Sequence, residues 1–281
     1  MTPNSRTMAW LCAEQELKLA VRSRWTQTFA VVFAVLALAV ASSGYVLSGG
    51  SGFQDFARTA ASLMQLVLLL VPLTSLLFGV TALTPDAGAA ELLFSQPIAR
   101  LAVLTGKLAG ICLALVAAQS IGFGAAGLVL FARTGPEGVA SFLGVAAGSV
   151  ALTAVFLSLA ALIAAGDTST HRARGLAVSL VVWFVAVVLF DIAAMGVASL
   201  LPSGLASRVL MTAAILNPVD AVRTGTLLAV EGQTAFGAAS QAFLRFAGGS
   251  TGAMVWLGAS LCVWVVAPIT AAAARLNRAD I

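Results

Sequence analysis

Few residues in this 281-residue chain are of a type that could do chemistry. Asp191 is the one acidic residue deep inside a long apolar run. It stands ten residues before Leu201, about 15 Å from the end of that run at 1.5 Å per helical residue. A charge at such depth costs roughly 2.5–3.5 kcal/mol on insertion scales. Asp191 must therefore face other helices, water or a partner group, or carry a proton. It reads as a substrate or proton site, or as one end of an interhelical hydrogen bond. No Lys or Arg is found inside the apolar runs to match it, which weakens a proton relay and favours the hydrogen bond.

Other chemistry finds less support. Gly248-Gly249-Ser250-Thr251-Gly252 matches the G-x-S-x-G pattern of a nucleophile elbow. That pattern works only on a strand-to-helix turn with a histidine at hand. The chain's single histidine, His171, belongs to a loop on the opposite side. Gly106-Lys107 is followed by Leu108, so no phosphate-cradling G-x-x-x-x-G-K-[ST] loop exists. Cys12, Cys112 and Cys262 are far apart, with no C-x-x-C or H-x-x-x-H spacing to clamp a metal. The sequence predicts a chain that binds no cofactor and carries no catalytic set of its own.

The elements that must position these residues are membrane spans. Hydrophobic residues make up 60% of the chain and charged residues only 9%, with a mean hydropathy of +1.02. Soluble domains carry about 25% charged residues. A soluble globular domain, a disordered chain and a nucleic-acid binder are all excluded. Six runs are long enough to span a bilayer: Thr28–Leu47, Leu63–Leu83, Leu108–Phe131, Val139–Ala165, Leu176–Leu201 and Val255–Ala274. Each must be a helix, because a lone strand leaves its backbone unpaired in lipid. The first run is too long, and too far from the start, for a signal peptide. Ten Lys and Arg fall on the side of the two termini and five on the other. By the positive-inside rule both termini are cytoplasmic.

The fold class is therefore all-α integral membrane: one transmembrane domain over residues 1–281. Its six transmembrane helices are joined by three segments of distinct character. Residues 1–27 form an interfacial amphipathic helix. Trp10, Leu17, Val21 and Trp25 lie on one stripe, and Glu16, Lys18, Arg22 and Arg24 lie mostly off it. This segment is a simple anchor or a gating and docking helix. Residues 84–107 are cytoplasmic. Pro85-Asp86 and Glu91 mark a helix start, and Gln96-Pro97 a stop. The result is a rigid knob for a partner or an ordinary connector. Residues 202–254 lie outside, with Asn217-Pro218 capping a short helix. That helix rests on the membrane surface or docks an outer partner. Gly106-x-x-x-Gly110 and Gly144-x-x-x-Gly148 offer close helix packing, within the bundle or in a dimer.

Taken in order, several motifs resemble the permease subunits of the second class of ABC exporters. They are Glu16-Leu17 with Arg22-Ser23-Arg24-Trp25, then Asp86-x-Gly88 with Glu91-Leu92-Leu93, Gln96-Pro97, Arg100 and Gly106-Lys107. Gly175-Leu176-Ala177, Trp183-Phe184, Phe190-Asp191 and Leu216-Asn217-Pro218-x-Asp220-x-x-Arg223 follow. The last two point to the narrower group that serves maturation of the copper–sulfur centre of nitrous oxide reductase.

The resemblance implies a homodimer in the bacterial inner membrane over two cytoplasmic ABC ATPase subunits, which hold the ATP and Mg²⁺. Asp86, Glu91, Leu92, Gln96 and Arg100 would couple to the ATPase, with Asp167 and His171 in a second, smaller contact. Glu16, Arg22, Arg24 and Trp25 would be the functional residues of the amphipathic helix. Asn217, Pro218, Asp220 and Arg223 would dock a periplasmic β-helix protein. Force transmission, or export of an uncharged or sulfur-containing species, is expected ahead of copper permeation. A drug or lipid exporter of the same class, and an ion-coupled carrier centred on Asp191, are the alternatives. Phe236–Gly252 has no counterpart in the resemblance.

Overall fold

Long apolar runs fold as helices because each backbone N–H then bonds within its own segment. The computed structural model describes residues 5–48, 52–84, 100–134, 139–165, 172–231 and 238–278, and these are helical with no strand among them. In chain order the helices are α1 (Ser5–Arg22), α2 (Arg24–Ser48), α3 (Gly52–Leu83), α4 (Arg100–Thr134) and α5 (Val139–Ala164). Then come α6 (Arg172–Phe184), a π-helical turn (Val185–Leu189) and α7 (Phe190–Ser199), which together make one long rod. The chain ends with α8 (Ser203–Leu216), α9 (Pro218–Glu231), α10 (Ala238–Ala247) and α11 (Ser250–Arg278).

Six helical stretches are long and apolar enough to cross a membrane: Arg24–Ser43, Thr59–Leu83, Leu101–Ala132, Ser141–Ala164, Arg172–Ser199 and Ser250–Arg278. They coincide with the six runs read from sequence. Phe33, Leu63, Leu68, Leu76, Ile111, Leu115, Leu152 and Phe156 are fully buried where α2 to α5 meet. Across the α4–α5 contact Gln119 donates to Thr153 Oγ1 (2.9 Å) and accepts from Ser149 Oγ (2.5 Å). Such polar pairs tie helices together in an apolar surround.

Both Gly-x-x-x-Gly motifs seat a helix of the same chain. A Cβ on Gly106 would collide with the Ala9 carbonyl oxygen, and one on Gly110 with the Ala13 carbonyl oxygen, so α1 lies directly on α4. Lys107 pairs with Glu16 at 3.7 Å beside this contact. At the second motif a Cβ on Gly148 would press on Val222 and Thr226 of α9. Leucine at Gly106 is accordingly expected to lift α1 off α4, because the obstructing atom is backbone and cannot yield. Half-buried Cys12 faces this contact. Its alkylation by a water-soluble maleimide should accelerate at least several-fold in Gly106→Leu. An unchanged rate would refute the seating.

Within residues 202–254, α8 and α9 pack against the spans and do not stand apart from them. Helices α8 and α9 are bent 103° at Asn217, and Val219 and Val222 belong to the main core. The pair forms a bent hairpin whose tip, at Val219 and Val222, is packed in the main core. The reason is the apolar face of α9, Val219, Val222 and Thr226, which fits the groove that Gly148 leaves open on α5.

Candidate functional site

The hairpin tip creates a polar problem, because a helix that stops inside a bundle leaves carbonyls without donors. Pro218 has no N–H to continue the α8 ladder. The structure answers with two side chains of α11 and with Asn217 itself. Ser260 of α11 donates to the Ile215 carbonyl at 2.5 Å, and the Trp264 indole N–H donates to the Leu216 carbonyl at 2.9 Å. Asn217 caps α9 by accepting from the Val219 N–H at 3.1 Å. Its amide also donates to the Ala186 carbonyl, at 2.8 Å, and to Asp220 Oδ2, at 3.1 Å. Ala186 lies in the π turn of the long rod, where the backbone ladder is irregular. Single π turns of this kind recur at functional positions.

Below the tip, Arg223 reaches back to the same rod. It donates to Asp191 Oδ2 at 2.6 Å and to Asp220 Oδ1 at 2.9 Å. One guanidinium thus bridges two carboxylates, and the three side chains are 28%, 28% and 12% exposed. The expectation that Asp191 has no matching cation is corrected. Arg223 lies beyond the apolar runs in sequence, and the bend at Asn217 brings it to Asp191. The Asp191 contact is stronger than a neutral interhelical hydrogen bond, since both partners are charged.

Two prolines inside the spans leave irregular backbone that side chains of other helices meet. Pro268 deprives the Trp264 carbonyl of its usual donor four residues on. Ser158 of α5 supplies one at 2.9 Å. In α3, Pro72 disturbs the ladder, and the Trp183 indole donates to the Leu69 carbonyl at 3.0 Å. Trp264 therefore holds the hairpin with its side chain while its main chain is pinned to α5. Sequence reasoning missed Trp264, Ser260 and Ser158. The signal available was a tryptophan four residues before a proline inside a span.

The other predicted residues fall as follows. Asn217, Pro218 and Asp220 are buried at the tip, so their side chains face the chain's interior and not an outer surface. Glu16 lies on the α1–α4 contact, whereas Arg22, Arg24 and Trp25 are exposed around the break at Ser23. Trp10 is exposed too, on the side of α1 turned away from α4. Glu14 pairs with Lys18 at 2.6 Å, and that ammonium holds its carboxyl below the usual range. Asp86, Glu91, Leu92, Gln96, Asp167 and His171 lie outside the described residues. Arg100 opens α4, but its side chain is likewise outside them.

No enzymatic geometry emerges among the described residues. Ser250 begins α11 after a helix-to-helix turn in which Gly248 and Gly249 adopt φ of +77° and +108°. No strand leads into it, so the nucleophile-elbow context is absent. Among the described residues no group of three His, Cys, Asp or Glu could hold a metal ion. What the site can do is hold and move helices. It joins the fifth span, the hairpin and the sixth span at one point.

The family model described as ABC-2 family transporter protein matches residues 10–281, nearly the whole chain. The chain belongs to the ABC-2 transporter family. Among curated relatives, a probable ABC transporter permease protein NosY of Pseudomonas aeruginosa is 35% identical over 223 residues, covering 77% of this chain and 80% of that protein. A second protein of that description, from Stutzerimonas stutzeri, is 33% identical over 231 residues, covering 79% and 82%. This ABC-2 chain is a multi-pass membrane permease subunit of the NosY type, as its sequence resemblance implies. Permeases of this kind are not enzymes; they work with ATPase subunits in the cytoplasm. Helix α1 on α4, the six spans and the hairpin are thus parts of a transporter's membrane half.

Proposed function

We propose that this chain transmits the work of ATP hydrolysis by a separate ATPase across the bacterial inner membrane, in maturation of the copper–sulfur site of nitrous oxide reductase. The observation that carries this reading is the family match over residues 10–281 in a chain with no phosphate-cradling motif. The maturation role rests on the likeness to the two NosY permeases and on the motifs Phe190-Asp191 and Leu216-Asn217-Pro218. ATP and Mg²⁺ reside in the partner ATPase. Both termini are cytoplasmic in this reading, which follows the charge count and takes the bent pair α8–α9 to return to the side it came from.

The route for the work is physical. Residues 85–99 enter the ATPase, and Asp86, Glu91, Leu92, Gln96 and Arg100 form that contact, with Asp167 and His171 beside it. Helix α4 begins at Arg100, so a push on the segment acts along a rod of 35 residues, about 52 Å long. Helix α1, seated on Gly106 and Gly110, moves with it. The wide lipid-facing surface left by the fifth span, including Val181, Ile192 and Met195, favours a homodimer. At the outer end the hairpin and the 232–254 stretch present the docking face for a periplasmic β-helix protein. Asn217 and Asp220 act there by holding the hairpin in shape, and Pro218 by forcing the bend. Copper passes through no ligand ladder in this account, and an uncharged or sulfur-containing species, or force alone, crosses.

The test is ATP turnover in proteoliposomes holding permease and ATPase together. Wild-type permease should stimulate hydrolysis several-fold over the free ATPase. The Asp86→Lys/Glu91→Lys variant should lose most of that stimulation while retaining its gel-filtration profile. Full stimulation by the variant would overturn the coupling assignment.

A further inference from the structure

A second arginine in the hairpin stands in a different setting from Arg223. Between α7 and α8 runs a groove of about 610 Å³. Phe190, Ala194 and Val197 line it from α7, and Arg208, Thr212 and Leu216 from α8. Arg208, Thr212 and Leu216 follow one another at four-residue spacing, so the arginine stands in line with the groove floor. Arg208 is five residues into α8, about 7.5 Å below the Pro202 turn, and Leu216 is about 12 Å deeper. The rest of the lining is almost wholly apolar.

Arg223 is neutralised by two carboxylates, but Arg208 has no ion-pair partner among the described residues and is exposed. An arginine at this depth points its guanidinium to the headgroup level while its stem stays in the apolar layer. Its planar donor fork suits a phosphate. We propose that this groove binds an anionic phospholipid of the surrounding bilayer, with the phosphate on Arg208 and one acyl chain along the floor towards Leu216. Basic pockets between spans hold anionic headgroups by the same physics.

Among the described side chains none offers Arg208 a carboxylate, whereas a lipid phosphate meets its charge. The carboxylates on described side chains are Glu14, Glu16, Asp191 and Asp220. The first two lie on α1 and the last two are taken by Arg223. A second copy seated across the groove would bring Arg208 no described carboxylate.

The test uses the full chain in phosphatidylcholine nanodiscs containing a trace of lipid with a photoreactive diazirine in its acyl chain. Phosphatidylglycerol and phosphatidylcholine probes are compared. Phosphatidylglycerol should label the peptide spanning residues 190–216 at least about fivefold more than phosphatidylcholine. Arg208→Gln should abolish that preference, Arg208→Lys should keep most of it, and Ala194→Trp, which fills the groove, should lower labelling by both probes. Equal labelling of wild type by the two probes, a comparison needing no variant, would overturn the proposal. So would an unchanged preference in Arg208→Gln. Rapid disulfide formation between two copies of Val197→Cys would do so as well, by showing the groove closed by a second copy.

Discussion

Replacing Arg223 with leucine is expected to be among the most destabilising single changes in this chain. The variant would leave Asp191 and Asp220 facing one another without a cation. Removing one partner of a buried charge set costs about 3–5 kcal/mol, and the residual exposure here favours the lower end, about 3 kcal/mol. Most of that cost is the stranded carboxylates and not the lost attraction. The triple variant Asp191→Asn/Asp220→Asn/Arg223→Leu should therefore recover the greater part of it. Unfolding free energies in a mixed-micelle denaturant titration would measure both. A triple variant as unstable as Arg223→Leu would assign the loss to packing and not to charge.

Asn217→Ala is expected to have the next largest effect. The change removes the cap on the Val219 N–H and the donor to the Ala186 carbonyl at one stroke. Each buried group left without a partner costs about 1–3 kcal/mol, so a loss of about 2–4 kcal/mol is expected. Asn217→Ser should fall between, since its hydroxyl can still cap α9 but cannot reach both acceptors. Amide hydrogen exchange would localise the effect. Residues 213–222 of the Ala variant should exchange much faster while α4 and α5 stay protected. Uniform acceleration throughout the bundle would mean that Asn217 supports the whole fold and not the hairpin in particular.

The spans were legible in the sequence because length and apolarity decide them locally. The six runs and the six helices differ mainly at their ends, where α4 begins at Arg100 and the fifth span at Arg172. The hairpin was not legible. The apolar stretch Leu205–Leu216 is 12 residues long, too short for a span. The Asp220 and Arg223 that follow read as surface groups. Only the tertiary partners reveal them, since Arg223 meets Asp191 32 residues earlier and the Leu216 carbonyl meets Trp264 48 residues later. The Gly-x-x-x-Gly motifs were visible but ambiguous, because glycine spacing says that something packs closely without saying what. The site was thus half legible. Asp191 and Asn217-Pro218 stood out by type and position, whereas Ser158, Ser260 and Trp264 matter for carbonyls left free by Pro268 and by the end of α8.

This chain is proposed to couple a cytoplasmic ATPase to an outer partner. The most direct measurement is co-purification from membranes solubilised in mild detergent, comparing wild type with Asp86→Lys/Glu91→Lys and identifying every bound protein. An ABC ATPase and a periplasmic protein should accompany wild type, and the variant should lose only the ATPase. Recovery of wild type with no ATPase under these gentle conditions would contradict the account, and would turn attention to Asp191 and Arg223 as the charged centre of an ion-coupled carrier.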